Sequence, residues 1–184
     1  NSTYGGGYEA ADLDERMGRL EAELNGRKCT AIGEIGPYHF EKSPGQKVIH
    51  FPMNFEPFLE LAGLAARRGV WLELHAEPVT PDGESFENDV FGGVALLFRR
   101  HPGLKLILAH TAMTNPANAR ALLQTYPNLM MNLKITSHKR NLSWANLGPI
   151  ANGEREIYED WASLLEDMPE RFMVGSDTHF WRER

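Results

Sequence analysis

Val70-Trp71-Leu72-Glu73-Leu74-His75 and Leu104-Lys105-Leu106-Ile107-Leu108-Ala109-His110 decide how this sequence is read. Each is an apolar run of strand length that ends in a histidine. Gly69 stands before the first, and Pro102-Gly103 before the second, so each strand follows a helix-stop signal. The same grammar extends outward in both directions. Residues 54–68 predict a helix capped by Asn54 and closed by Gly69, and residues 88–101 predict another. Asn115-Pro116 opens a third helix, running to about Tyr126, with a cap residue followed by proline at the first helical position. Residues 129–135 predict a strand, 156–166 a helix, and Arg171-Phe172-Met173-Val174-Gly175-Ser176-Asp177 a final strand. Upstream, Ala11, Leu13, Met17, Leu20 and Leu24 give a helical stripe over residues 8–24, ended by Asn25-Gly26. Cys29-Thr30-Ala31-Ile32-Gly33-Glu34-Ile35 reads as the first strand, with a long loop over residues 36–53 behind it.

Strict alternation of helix and strand implies a parallel sheet covered by helices. Two architectures satisfy it, an open doubly wound sheet and a (β/α)8 TIM-type barrel. The doubly wound fold with a nucleotide is the weaker option, because no strand is followed by a G-x-G-x-x-G or P-loop glycine pattern. The expected class is therefore α/β, a barrel represented by about five βα units, within a single domain over residues 1–184. Gly5-Gly6-Gly7 closes a small polar lead-in, residues 1–7, expected to be flexible.

Four strand ends carry a residue able to bind a metal or move a proton: Glu34, His75, His110 and Asp177. The strand over residues 129–135 offers Asn132 and Lys134 instead. Each such residue alone reads more easily as a loop contact or a cap. Together they share one register, and parallel strands bring all their C-terminal ends to one rim, where barrels build their sites. Side chains alternate along a strand, so Glu73 and Trp71 face the same way as His75. A carboxylate one layer below a metal needs a partner; Glu73 reads as that supporting group or as an outward charge. Tyr38, His39 and Phe40 follow Glu34 in a loop, and Thr178, His179 and Phe180 follow Asp177. Loops at this rim set substrate choice, so Tyr38, His39, Lys134 and His179 are the candidate substrate contacts, with His138 nearby. His101, before Pro102, reads as a helix-end cap.

Gly33-Glu34-Ile35-Gly36, the strand ending in His75, Ala109-His110-Thr111 and Gly175-Ser176-Asp177 resemble strands four, five, six and eight of the amidohydrolase superfamily, within its amidohydrolase-related group of metal hydrolases. The resemblance runs from about Lys28 to Phe180. It implies a divalent metal at the barrel mouth, zinc first, with Mn2+ or Fe2+ as alternatives. It implies Glu34, His75, His110 and Asp177 as metal ligands. His110 would also polarise the substrate carbonyl, and Asp177 would act as general base on the metal-activated water. The implied function is hydrolysis of a small ester, amide or lactone; a decarboxylase using the same centre belongs to this branch. The family's first strand carries a His-x-His pair, and none occurs among His39, His50, His75, His101, His110, His138 and His179. Barrel strands one to three are likewise unaccounted for. A catalytically silent barrel segment with an assembly or ligand-binding role is the competing expectation.

Composition narrows the partners. The chain has 184 residues, 42% hydrophobic, with 19 Lys+Arg scattered through it and a formal charge of -6. Without a basic block, nucleic acid and membrane surfaces are poor partners. A small-molecule substrate is expected, with a second copy or a complementary N-terminal segment covering the open side of an incomplete barrel. Cys29, the single cysteine, excludes an internal disulfide and is expected to be a buried structural thiol. No signal peptide is read. The chain starts at Asn1, so the compartment is left open between cytoplasm and, after removal of an upstream leader, periplasm.

Overall fold

The computed structural model describes residues 10–26, 28–40, 49–80, 83–134, 150–151 and 156–175. The elements follow in the order α1 (Ala10–Gly26), β1 (Ala31–His39), β2 (Ile49–His50), α2 (Glu56–Arg68), β3 (Trp71–Ala76), α3 (Glu87–Arg100), β4 (Lys105–Leu108), α4 (Pro116–Thr125), β5 (Leu129–Lys134), α5 (Glu159–Asp167) and β6 (Phe172–Gly175). Strands β1, β3, β4, β5 and β6 pair in parallel in that order. The short β2 pairs antiparallel on the outer side of β1.

The burial pattern separates the two architectures left open by the sequence. Leu72 and Leu74 of β3, Leu106 and Leu108 of β4, and Leu129 and Met131 of β5 all belong to one buried cluster. These positions have one parity, so they share one face of the sheet. The same cluster contains Leu59 and Ala62 of α2, Val90, Val94 and Leu97 of α3, Leu122 and Leu123 of α4, and Trp161 and Leu164 of α5. Met17, Leu20 and Leu24 of α1 pack against it. All five helices therefore cover one face. A doubly wound sheet carries helices on both faces; a barrel wall carries them on the outside only. The fold is a TIM-type α/β arc of five parallel strands, and the remaining face holds Glu73, His75, Ile107 and Asn132.

Several local expectations change. Strand β1 is longer than read from sequence and includes Tyr38 and His39, which were expected in a loop. Tyr38 is fully buried, its ring against those of His50 and Phe86. Burial and then the charge of Asp89 raise its phenolic pKa. Such an environment supports a packing role for the ring. Helix α2 begins at Glu56 behind Phe55, with no side-chain cap, and Asn54 lies in the preceding turn. Gly69 does close α2, in the left-handed conformation (φ 66°). Asn115 caps α4 as expected, its Oδ1 accepting from the Asn118 N–H at 2.9 Å. Cys29 is exposed, not buried, because it precedes the first paired residue of β1. His101 bridges helices through Nε2, 3.2 Å from the Leu59 carbonyl. No helix among the described residues is long and apolar enough to cross a membrane.

Arg171 fastens the last unit. Its Nε donates to Leu129 O (2.9 Å), Nη1 to Leu123 O (3.0 Å), and Nη2 to Tyr126 O (2.6 Å) and Leu129 O (2.5 Å). The guanidinium thus joins the turn before β6 to the end of α4 and the start of β5. Charge-assisted bonds contribute roughly 1.5–3 kcal/mol each when lost singly, and not additively. Arg171→Met is expected to lower unfolding free energy by about 2–4 kcal/mol, read by urea denaturation; a change within about 0.5 kcal/mol would show that the carbonyls find water instead.

Candidate metal centre

Glu34 reaches the open face because β1 is irregular. Ile32 pairs with Leu72, Ile35 with Leu74 and Tyr38 with Ala76, so β1 advances three residues for each two of β3. The extra residue in each step is a bulge, and bulges re-aim side chains. Gly33 makes the first possible. A Cβ there would lie 2.6 Å from Glu73 Cβ and 2.9 Å from Glu73 O, and its φ of 153° is one that L side chains rarely adopt. Gly33→Ala is therefore expected to cost about 1–3 kcal/mol, seen as a lower urea midpoint, and to weaken any ligand held by Glu34. An unchanged midpoint would mean that β1 can slide away from β3.

His75 lies on β3 with its ring on the same face as Glu73. Its Nδ1 is 2.5 Å from Glu34 Oε1, and its Nε2 is 2.9 Å from Glu77 Oε1. His110 comes from an unusual turn. Strand β4 stops at Leu108, and Ala109–Met113 form a tight turn in place of the strand end read from sequence. His110, Thr111, Ala112 and Met113 all have positive φ, from 47° to 55°. Non-glycine residues pay for this conformation in steric strain, and Ala109, His110, Thr111 and Ala112 are buried where packing can offset it. The turn sets His110 Nε2 3.4 Å from Glu34 Oε1 and its ring edge-on to that of His75, centroids 4.9 Å apart.

Glu34, His75 and His110 thus converge, with one donor atom of each within 4.8 Å of the others. Two nitrogens and a carboxylate oxygen fit a divalent cation in type and number. His39, His75 and Glu77 form a second group of the same kind, sharing His75. The His39 ring, half-buried at the end of β1, lies 5.1 Å from that of His75. Below them, Glu73 Oε1 accepts from Asn132 Nδ2 at 3.1 Å across β4, so Glu73 faces the site side and has a partner. Glu77 escaped the sequence reading. The available signal was its position two residues beyond His75, hence on the same side of an extended chain. Asp177, His179 and His138 lie outside the described residues, as do the lead-in and the side chain of Lys134.

Electrostatics follow the contacts. Hydrogen bonds from His110 and then His75 hold the Glu34 carboxyl far below its ordinary range, against the opposing effect of burial. Burial alone would lower the His75 pKa, but the hydrogen bonds to Glu34 and Glu77 outweigh it and raise the value above 6.5. In the metal-free chain, the raised His75 pKa contributes stability that is complete below about 6.5 and lost as pH rises through the folded value. The depressed Glu34 contributes above 4.5, and loses its contribution as pH falls through its folded value. The difference in melting temperature between the metal-free parent and Glu34→Gln is expected to be largest between those limits and to shrink on either side. A pH-independent difference would contradict the ion pair. Cation binding needs an unprotonated Nδ1, so affinity is expected to rise with pH.

No protein-family model and no curated protein matches the chain. Solved structures do match in fold. An uncharacterized TIM-barrel protein from Bordetella bronchiseptica aligns with TM-score 0.53 and 12% identity, over 89% of this chain and 50% of that one. A dihydroorotase from Campylobacter jejuni aligns with TM-score 0.53 and 19% identity, over 87% of this chain and 47% of that one. A 2,6-dihydroxybenzoate decarboxylase from Rhizobium aligns at TM-score 0.48 and 13% identity, over 91% and 57%. The chain spans about half the length of the first two.

Proposed function

We propose that this protein is a metal-dependent hydrolase of the amidohydrolase type, acting on a small ester, amide or lactone. The observation that carries the reading is the convergence of Glu34, from the bulged middle of β1, with His75 at the C-terminal end of β3 and His110 just after β4, on three adjacent parallel strands. Barrel enzymes build their sites at that rim. Glu34 and His75 would hold the cation, zinc in preference to Mn2+ or Fe2+ given two imidazoles and one carboxylate. When bound, a divalent cation there polarises a carbonyl oxygen and lowers the pKa of its water from 15.7 to about 7. His110, buried and with Nε2 turned to the same point, would complete the ligand set or donate to the substrate carbonyl. Asp177, two residues beyond the end of β6, is assigned the proton-accepting role. His39, at the edge of the same cluster, is the best-supported of the substrate contacts, with Lys134 and His179 assigned beside it. Glu73 would support the centre from one layer below, through Asn132.

Elemental mass spectrometry of the purified chain tests this directly. The parent is expected to carry near-stoichiometric zinc or manganese, and a His75→Ala/Asp177→Ala double variant to lose it. Asp177→Ala alone is expected to slow hydrolysis of an activated ester or lactone by about 100- to 10,000-fold. A folded parent that holds no metal would show that these residues make no competent centre by themselves, would favour the silent-segment reading for this chain, and would turn the question to the first three barrel strands.

A further inference from the structure

Glu77 is a buried carboxylate that the proposed reaction does not use. It is 3% exposed, just beyond the end of β3. Burying a carboxylate is costly unless it is paired and hydrogen-bonded. Its Oε2 accepts the Phe40 N–H at 2.7 Å, and its Oε1 lies 2.9 Å from His75 Nε2. Its own N–H donates to Tyr38 O at 3.1 Å, which ties the backbone at this point to β1. The carboxylate is therefore held by main chain on one side and faces the His75 imidazole on the other.

His75 thus stands between two carboxylates, and a neutral imidazole can donate to only one of them. The two are not equivalent. The Glu34 side chain is 35% exposed, so water can solvate it, and it also faces His110 Nε2. The Glu77 side chain is 4% exposed, so a lost donor there is replaced at much greater cost. The proton of neutral His75 belongs on Nε2, toward Glu77, which leaves the Nδ1 lone pair facing Glu34.

The His39–His75–Glu77 group also raises the question of a second cation position. The His75 nitrogen beside Glu77 is Nε2, and using it as a ligand would remove the proton that serves Glu77. Both Glu77 oxygens already face N–H or ring-nitrogen partners. The geometry favours a supporting role over a ligand role.

We propose that Glu77 is a positioning residue: it accepts the Nε2–H of His75 and so fixes the ring and the tautomer that presents Nδ1 to a cation between His75, Glu34 and His110. The cation rests on the function proposed above; the tautomer does not. Two measurements separate them. The first is the nitrogen-15 chemical shifts of the His75 ring in the metal-free chain at alkaline pH. The parent is expected to show the Nε2–H form, Glu34→Gln to retain it, and Glu77→Gln to shift toward Nδ1–H. An Nδ1–H parent, or a tautomer unmoved in Glu77→Gln, overturns the proposal whether or not metal binds. The second is zinc affinity by competition with a chromophoric chelator, with stoichiometry. One zinc per chain is expected, bound about 10- to 100-fold more weakly by Glu77→Gln. Two zinc ions in the parent and one in the variant would make Glu77 a ligand and overturn the positioning role. Absence of zinc from a parent that still shows the Nε2–H tautomer would sink the metal centre and leave the Glu77–His75 assignment standing. Glu77→Asp, which keeps the charge, guards against a folding defect: a folded Asp variant is expected to retain the Nε2–H form, and its loss there counts against the proposal.

Discussion

A strand has two faces, and in this chain the burial of one dictates the chemistry of the other. Leu72, Leu74, Leu106, Leu108, Leu129 and Met131 lie in a single core with all the helices that cover the sheet. Removing that much apolar surface from water is the main favourable contribution to folding. Because successive side chains alternate, the same burial commits Glu73, His75, Ile107 and Asn132 to the opposite face. Parallel pairing adds direction, since every strand of the arc delivers its last residues to the same end. These two constraints bring His75 to the rim; Glu34 joins it only because the bulges in β1 shift its side chain off the core face, where plain alternation from Ile32 would have put it.

Polar groups committed to that face must then find partners, and they find one another. Glu73 is served by Asn132 across an intervening strand. His75 lies between Glu34 and Glu77, and His110 faces Glu34 from the other side. Two backbone irregularities make this network possible. The bulges in β1 need a residue without Cβ at Gly33, where Glu73 leaves no space for one. The left-handed turn after β4 carries four consecutive non-glycine residues in a disfavoured region. Strain of this kind persists only where surrounding packing over-determines it, and it concentrates at functional sites. Here both irregularities lie beside the same three side chains.

The network also divides labour between carboxylates of the same chemistry. Glu34 is partly solvated and can exchange partners, as the proposed ligand role requires. Glu77 is enclosed and held by the Phe40 N–H, which suits a fixed acceptor. Solvent access, rather than residue type, separates the two carboxylates.

The sequence by itself determined the order of elements, the parallel arrangement, the closure of α2 by Gly69 and the cap of α4 by Asn115, and it singled out Glu34, His75 and His110 as candidates. Those features depend on local propensity and on period, which a chain carries in its residue order. Tertiary structure decided what depends on neighbours distant in sequence. Helices on one face chose the barrel arc over the doubly wound sheet. The register of β1 against β3 drew Tyr38 out of its expected loop and into the core. Cys29 followed an apolar expectation and proved exposed, because it precedes the first pairing of β1. Glu77 was legible only as a charge after a strand. Its fixed position comes from the Phe40 N–H that β1 brings to it, 37 residues away in the chain, and spacing along a sequence does not encode such a meeting.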